Sequence, residues 1–332
     1  MNNITFLNSL AKSMSAEYQE RIPTATAENI SEIAELINQY PTTRNEFISA
    51  LTNKVAKSKV IQKVYNNRFK FLKKGSIPYG TSIELIVADI VKGKNFGENF
   101  GSANTEIGSL LAIEKPEVKV QYIERNIQLK YKLSISNLQL MGAFNSENGL
   151  SNLVNALITS VVNSMEFDEE LLINKAINTI NSVQAKITDW GTLDEEQQAK
   201  KLTKLVMVTL DKMQFLSTDY NTQNYHTFCK PDDVVIFVTP ETKAMLNVDL
   251  LANTYNMEKA DINARIVLVK EFEDAKTIAK IIDKECIQFF DNYQTTATFE
   301  NADNLTHHTF YHRGQTLGIC QFFNSLDIVS GE

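Results

Sequence analysis

Paired cysteines are missing from the sequence, which bears on the setting in which the chain folds. The three cysteines, Cys229, Cys286 and Cys320, are odd in number and contain no Cys-x-x-Cys pair. Each lies beside aromatic or apolar residues. We therefore expect three buried, reduced thiols in an intracellular setting.

Long apolar runs and a secretion signal are missing as well. No apolar run approaches the ~18 residues that a membrane-spanning helix needs. The first segment, Met1–Met14, lacks the basic stretch, apolar stretch and cleavage site of an exported protein. We expect neither a membrane span nor export by that route.

Basic residues are fewer than acidic residues, 33 against 40, which gives a net charge of -7 and a pI of about 5.3. Dedicated nucleic-acid binders carry a basic surface instead. Tight, direct DNA binding is therefore not expected. The net negative charge is compatible with a surface that faces nucleic acid but does not bind it tightly, because like charges repel.

The sequence contains no Gly-x-Ser-x-Gly elbow, no His-Glu-x-x-His helix and no dinucleotide fingerprint. The glycine-rich stretch Gly93–Gly101 lacks the Gly-Lys-Ser/Thr ending of a phosphate loop and does not run directly into a helix. We interpret it as the flexible tip of a hairpin. The sequence predicts no catalytic residue and no cofactor.

A cluster of histidines, His307, His308 and His312, is the candidate metal site, with His226 and Cys229 as further potential ligands. On a strand, positions 307 and 308 point to opposite faces. Positions 308 and 312 share a face but lie roughly 13 Å apart, at ~3.3 Å per residue, which is too far for one zinc ion. We therefore predict no metal site.

Neighbouring carboxylates occur in the segments Asp168-Glu169-Glu170 and Asp232-Asp233. Paired carboxylates can act as general acid and base when their pKa values differ. No partner base or nucleophile accompanies these, so we interpret them as a solvated face, a turn cap or an ion pair between subunits.

The chain of 332 residues is 43% hydrophobic and can bury a large core, as one elaborated domain or two. From Thr24 to about Tyr65 the pattern is helical and broken by Pro41. Stripes containing Ile33 and Ile37, and then Phe47, predict two amphipathic helices. We interpret them as an arm rather than a compact domain, since short helices depend on tertiary packing.

A β region follows, with strands predicted within Thr81–Val91 and from Val118 onward. The alternation changes phase near Glu124–Asn126, which predicts a bulge or bend there. A long hairpin whose tip is Gly93–Gly101 cannot bury both faces in its own domain. We expect it to reach outward.

The strongest helical signal runs from Leu150 to about Ile187, with apolar residues at three- and four-residue steps that include Leu157. Next, Thr192-Leu193-Asp194-Glu195 reads as a capping box that opens a helix to about Leu216. Strands and short helices then alternate. We predict strands at Val234–Val238 and Arg265–Val269, a short helix opened by Pro240, and a tail from Cys286 to Val329 that is mainly strand.

This order of elements resembles the major capsid protein of tailed bacteriophages, in the Hong Kong 97-type fold, and looks closest to those of small short-tailed phages. The most specific stretch is Asp233–Asp261, with a strand, a Thr-Pro turn, a short helix and an Ala-x-x-Tyr-Asn segment. The segment Cys286–Asp291, followed by strands, matches less specifically. The resemblance covers nearly the whole chain by pattern and short motifs.

The resemblance implies an α+β fold and a structural protein that encloses the double-stranded DNA genome of a phage in an icosahedral head. It implies five regions: an N-terminal helical arm at 1–74, an extended loop at 75–115, a peripheral domain with a spine helix at 116–190, an axial domain at 191–284, and C-terminal strands at 285–332. No long scaffolding extension and no added surface domain are recognised. Nothing marks Lys92, Lys94 or Asn324 as the covalent cross-link known in some relatives.

The implied partners are copies of the same chain, in hexamers and pentamers, with a scaffolding protein and a portal. Packaged DNA would be contacted only weakly and no membrane is involved. The implied location is the virion, assembled in the host cytoplasm. Two alternatives remain open: an encapsulin-type bacterial compartment with the same fold, and an unrecognised α/β enzyme.

Overall fold

The computed structural model describes residues 3–57, 65–78, 80–91, 116–124, 126–136, 149–246, 264–301, 303 and 306–331. The tip Gly93–Gly101 and the second half of the stretch Asp233–Asp261 lie outside them. Within the described residues, no helix is both long enough and apolar enough to cross a membrane. The chain divides into two compact units, each built from three segments.

Seven helices are found within the described residues. They are α1 (Asn3–Ala11), α2 (Ala16–Arg21), α3 (Ile30–Gln39), α4 (Pro41–Lys57), α5 (Gly149–Thr179), α6 (Glu195–Met213) and α7 (Pro240–Met245).

Strands in the same part of the chain number eleven. They are β1 (Lys73–Ser76), β2 (Ile83–Ala88), β3 (Val118–Ile123), β4 (Ile127–Ser136), β5 (Val183–Ile187), β6 (Val234–Val238), β7 (Arg265–Leu268), β8 (Thr277–Asp283), β9 (Ile287–Asn301), β10 (Thr306–Ile319) and β11 (Ser325–Ser330). They form sheets in the orders β1-β9-β10-β4, β5-β11-β8-β6-β7 and β2-β3.

The first unit comprises residues 1–67, 127–171 and 291–315. Its core joins the four N-terminal helices to part of α5 and to the strands, through buried residues such as Leu10, Ile37, Phe47, Met165 and Tyr311. Pro41 begins α4, as the sequence predicts. The expectation that these helices form an arm rather than part of a compact domain is wrong, because their apolar stripes are buried in this core.

The second unit comprises residues 68–126, 172–290 and 316–332. Its five-stranded sheet is mixed: β6 pairs parallel with β7 and antiparallel with β8, and β11 pairs parallel with β5. Every residue of β6 is buried. One apolar cluster contains Val206 of α6 and Ile236, and another contains Ile177 of α5 and Phe237. Alternate β6 residues therefore enter different clusters, which explains an unbroken apolar run.

The long helix α5 is confirmed, but its predicted end near Ile187 is wrong. The last helical residue is Thr179, and Val183–Ile187 is β5. In that segment Val183, Ala185 and Ile187 point one way and Gln184 and Lys186 the other, which is the two-residue period of a strand. Its partner β11, which is far away in sequence, makes the strand.

The predicted capping box at the start of α6 is also wrong in detail. The N-cap is Asp194, whose Oδ1 accepts a hydrogen bond from the backbone N–H of Gln197 at 2.7 Å. Thr192 lies in the preceding 3-10 turn and donates its hydroxyl to the carbonyl of Asp189. Asp194, two residues after Thr192, is the N-cap instead, and aspartate is among the residues preferred at that position. The predicted strand, turn and short helix at Val234–Val238 and Pro240–Met245 are confirmed.

Candidate assembly surface

The strands β2 and β3 form an antiparallel pair in the second unit, with Ile86 opposite Val120 and Glu84 opposite Tyr122. They belong to different sheets from β4, which begins after the predicted break at 124–126. Alternate residues face opposite sides. The outward side, which we call the hairpin face, consists of Glu84, Ile86, Ala88, Val118, Val120 and Tyr122.

The inward side of the pair is held against the second unit. Leu85 and Val87 pack against a small buried cluster that contains Tyr225, Cys320 and Phe322. Gln121 donates its side-chain N–H to the carbonyl of Ile319 at 2.7 Å. One side of the pair is therefore fixed by apolar packing and by a directed hydrogen bond.

Gly318 allows the close approach of this pair. A Cβ atom at Gly318 would lie 2.4 Å from Cδ1 of Ile123, a separation that real Cβ contacts do not show. Ile123 is buried at the end of β3. Glycine is therefore required at position 318 for β3 to lie where it does.

A polar cluster, which we call the clasp, lies at the end of β2 and the start of β3. The imidazole Nδ1 of His226 lies 2.9 Å from Oδ1 of Asp89, and the hydroxyl of Tyr225 donates to the carbonyl of Glu117 at 3.3 Å. The backbone N–H of Ile90 donates to the same Asp89 oxygen. That bond first, and then His226, hold the pKa of Asp89 below its usual value.

The hairpin face is apolar and open. The exposed fractions are 62% for Ile86, 53% for Val118, 44% for Val120 and 63% for Tyr122. Glu84 supplies the charge on this face and accepts a hydrogen bond from the Tyr122 hydroxyl at 2.9 Å, which raises the pKa of Tyr122. Contiguous exposed apolar surface of this kind marks a protein contact site. The expectation that the hairpin cannot bury both faces is confirmed for its described strands.

The carboxylates singled out in the sequence lie in different surroundings. Glu169 of α5 is buried in the first unit, where it forms an ion pair with Arg313. It also accepts hydrogen bonds from the side-chain amides of Gln315 at 2.8 Å and of Asn67 at 3.4 Å. Asp291 contributes a second carboxylate, 3.3 Å from Arg313. The interpretation as a solvated face, turn cap or intersubunit pair is wrong for Glu169, which is part of an internal charge network.

Asp233 of the second pair follows the turn interpretation. It ends the 3-10 turn Pro231–Asp233, and its Oδ1 lies 2.5 Å from the ammonium of Lys284. This ion pair raises the pKa of Lys284. The pair at Asp232-Asp233 therefore belongs to local structure at the start of β6.

The histidines are spread over both units. His307 is buried with its Nε2 3.6 Å from Glu300, whereas His308 faces the opposite side of β10 and contacts Ser134 at 2.8 Å. His226 belongs to the second unit, in the clasp with Asp89. In the part of the chain that the structure describes, no three His, Cys, Asp or Glu side chains are grouped to hold a metal ion.

The cysteines are confirmed as buried free thiols. All three lie in the second unit. Burial raises the pKa of each thiol, most plainly that of Cys286, so the reactive thiolate is disfavoured.

The sequence is similar to those of known proteins over nearly its whole length. The model of the family described as Phi29-like phage major capsid protein matches residues 7–329. The major capsid protein of Bacillus phage PZA is 29% identical over 98% of this chain and 72% of its own length. That of Streptococcus phage Cp-1 is 24% identical over 98% of this chain and 93% of its own length.

Solved structures show the same fold. The capsid structure of Staphylococcus phage Andhra aligns with a TM-score of 0.63 at 16% identity, covering 83% of this chain and 87% of the other. The mature capsid of bacteriophage PhiM1 aligns with a TM-score of 0.52 at 11% identity, covering 83% of this chain and 91% of the other. The predicted α+β fold of the Hong Kong 97 type is confirmed.

Proposed function

Because the chain belongs to the family of Phi29-like phage major capsid proteins, the structural proteins that form the icosahedral heads of tailed phages, we propose that its hairpin face binds the neighbouring copy in the shell. The family match decides against an enzyme and against the bacterial compartment. The chain is a virion protein whose copies associate with one another. The proposal concerns the residues that make that association.

The observation that carries the proposal is the contrast between the two sides of β2 and β3. The inward side packs on Tyr225 and Phe322, while Ile86, Val118, Val120 and Tyr122 remain exposed. Covering four half-exposed side chains of this size contributes roughly 3–6 kcal/mol per copy before the entropic cost of association. Such modest contacts suffice in a closed shell, because each contact raises the effective concentration for the next.

The finer features of assembly belong to the same proposal. Residues 75–115 together with β3 act as the extended loop, the rest of 116–190 as the peripheral domain, 191–284 as the axial domain and 285–332 as the returning strands, in hexamers and pentamers assembled in the host cytoplasm. A scaffolding protein and a portal complete the head. Packaged DNA is contacted weakly, which the net charge of -7 supports.

A pair of variants tests the role of the hairpin face. Ile86→Glu with Val120→Glu places charges on the face without touching the buried side, so the chain should fold but fail to form shells. The matched control, Ile86→Val with Val120→Ile, keeps the face apolar and should assemble. Circular dichroism reports the fold and electron microscopy reports the shells. Normal shells from the glutamate variant would exclude this face from the contact.

A further inference from the structure

A loop between α6 and β6, residues 217–227, contacts both the β2–β3 pair and the rest of the second unit. We call it the bracket loop. Ser217 and Thr227 exchange backbone hydrogen bonds, which close the loop on itself. The side chain of Asn221 is buried and donates to the carbonyl of Phe322, just before β11. The bracket loop is therefore tied to the body of its own unit.

A tight turn at 221–224 shapes the bracket loop. The φ angle of Asn224 is 58°, in the left-handed region that asparagine tolerates better than most residues with a side chain. Its backbone N–H donates to the carbonyl of Asn221 at 3.2 Å, and Asn221 Oδ1 accepts the backbone N–H of Gln223 at 2.7 Å. A left-handed residue other than glycine persists where its surroundings over-determine it. The turn therefore gives Tyr225 and His226, which follow it, a defined position.

Tyr225 and His226 contact both strands of the hairpin pair. His226 Nδ1 lies 2.9 Å from Oδ1 of Asp89, which follows β2. The Tyr225 hydroxyl donates to the carbonyl of Glu117, which precedes β3, at 3.3 Å. The ammonium of Lys119, on β3, lies 4.8 Å from the centre of the Tyr225 ring. One loop thus holds one end of each strand by a directed contact.

The clasp lies where the ladder of the pair ends. Asp89 donates its backbone N–H to the carbonyl of Glu117 at 2.9 Å, one step beyond the last residues of β2 and β3. Along β2, the inward side changes from apolar, at Leu85 and Val87, to charged, at Asp89. A two-stranded pair is only marginally stable by itself. The direction of the pair at this end therefore depends on the clasp.

We propose that the bracket loop is a positioning element for assembly: through Tyr225 and His226 it fixes the direction in which the hairpin face meets the neighbouring copy. This inference rests on the proposed function, because that direction matters only if the face binds a neighbour. A repeated contact closes a shell only when it is made at a defined angle. A face that is already held in its bound direction also loses less conformational freedom on association.

Two variants remove the clasp from its two sides. In the unassembled chain, His226→Leu and Asp89→Ala should each make amide hydrogen exchange at residues 88–90 about ten-fold faster, because that end of the pair opens more easily. The midpoint of thermal unfolding should change by less than about 2 °C, because the apolar contacts of the unit remain. The protein concentration needed to form shells should rise about ten-fold.

Conservative and matched variants control for a general loss of structure. His226→Gln keeps a side-chain N–H that can donate to Asp89, and it should restore assembly to near the normal concentration. Asp219→Ala removes an exposed carboxylate from the same loop and should leave both exchange and assembly unchanged. Failure of His226→Gln to restore assembly would count against the clasp.

A double variant separates positioning from direct contact with the neighbour. If the clasp acts as one unit, His226→Leu together with Asp89→Ala should impair assembly no more than either change alone. If His226 touched the neighbouring copy itself, the two losses would add. Additive losses would therefore overturn the inference.

Failure of this inference is distinguishable from failure of the proposed function. Clasp variants that exchange faster but form normal shells at the normal concentration would overturn the inference, even if Ile86→Glu with Val120→Glu abolishes shells. Normal shells from both sets of variants would overturn both proposals. Should His226→Leu not fold, Tyr225→Phe carries the same test: it removes only the hydroxyl that bonds to Glu117, and we expect a rise of about three-fold in the concentration needed.

Discussion

The N-terminal helices and the β2–β3 pair both have an apolar side, but that side is buried in the helices and exposed in the strands. In α3 and α4, Ile37 and Phe47 are completely buried within the first unit, against α1, α5 and the sheet. In β2 and β3, Ile86 and Tyr122 are more than half exposed. A regular apolar stripe therefore shows that a segment packs against something, and the tertiary structure decides whether the partner is the same chain or another copy.

The largest expected effect is the loss of core packing in the N-terminal helices. Phe47→Ala should lower the free energy of unfolding by about 3–5 kcal/mol, because it leaves a cavity in the first unit. Ile86→Ala, on the hairpin face, should change it by less than about 0.5 kcal/mol. Urea unfolding of the unassembled chain measures both. Equal losses for the two variants would remove the distinction between buried and exposed stripes.

The buried charge network should give the next largest effect. Glu169→Gln removes the ion pair with Arg313 but keeps the shape, and Asp291 remains near the guanidinium. We expect a loss of about 1.5–3 kcal/mol, the range for hydrogen bonds to charged groups. Glu35→Gln, at an exposed position of α3, is the control and should be near neutral. A neutral Glu169→Gln would mean that the network does not stabilise the unit.

The N-cap of α6, in the second unit, should give a smaller effect, and two variants there compare the observed cap with the predicted one. Asp194→Ala removes the side chain that accepts from Gln197 and should cost about 1 kcal/mol. Thr192→Ala should cost only a few tenths, because its hydroxyl bonds within the preceding turn. Thermal unfolding of both variants gives the order. The reverse order would restore the capping box read from the sequence.

The smallest expected effect is a pH dependence in the first unit. Burial lowers the pKa of His307 below its usual value, Arg44 and His308 lower it further, and Glu300 opposes them. The folded state therefore favours neutral His307. Its contribution to stability is present above pH ~6.5, the unfolded pKa, and is lost as the pH falls through the lower folded pKa.

Unfolding curves between pH 7.5 and pH 5, a range of about one unit or more either side of ~6.5, measure this contribution. His307→Gln should flatten the dependence, whereas His308→Gln, on the opposite side of β10, should retain most of it, because burial is the largest cause of the lowered pKa of His307. An unchanged slope in His307→Gln would show that other groups cause the dependence.

Local patterns predict much of this molecule. Pro41 separates α3 from α4, Pro240 begins α7, and the phase change at 124–126 separates β3 from β4. These features depend on residues that are neighbours in the sequence, so local sequence patterns are sufficient to predict them. The sequence pattern does not predict the helices α1 and α2, because segments of nine and six residues are too short to show a clear helical period. Phe6, Leu7 and Leu10 of α1 are nevertheless buried.

Long-range partners explain what could not be predicted. Glu169 looks like any helical acid until Arg313 and Gln315, on a distant strand, are brought beside it. The end of α5 depends on β11, because Val183–Ile187 forms a strand that pairs with β11. The clasp between Asp89 and His226 likewise joins segments that no local period connects. The consecutive apolar residues Leu85, Ile86 and Val87 could have indicated that both sides of β2 are apolar, because neighbouring residues of a strand point to opposite sides.

The most direct measurement of the central claim is a map of the assembled shell by electron cryomicroscopy at side-chain resolution. Our account predicts that Ile86, Val120 and Tyr122 of each copy contact an adjacent copy, while Ile37 and Phe47 remain within their own chain. A map in which the hairpin face meets solvent, or in which α3 and α4 pack on a neighbouring copy, would contradict it.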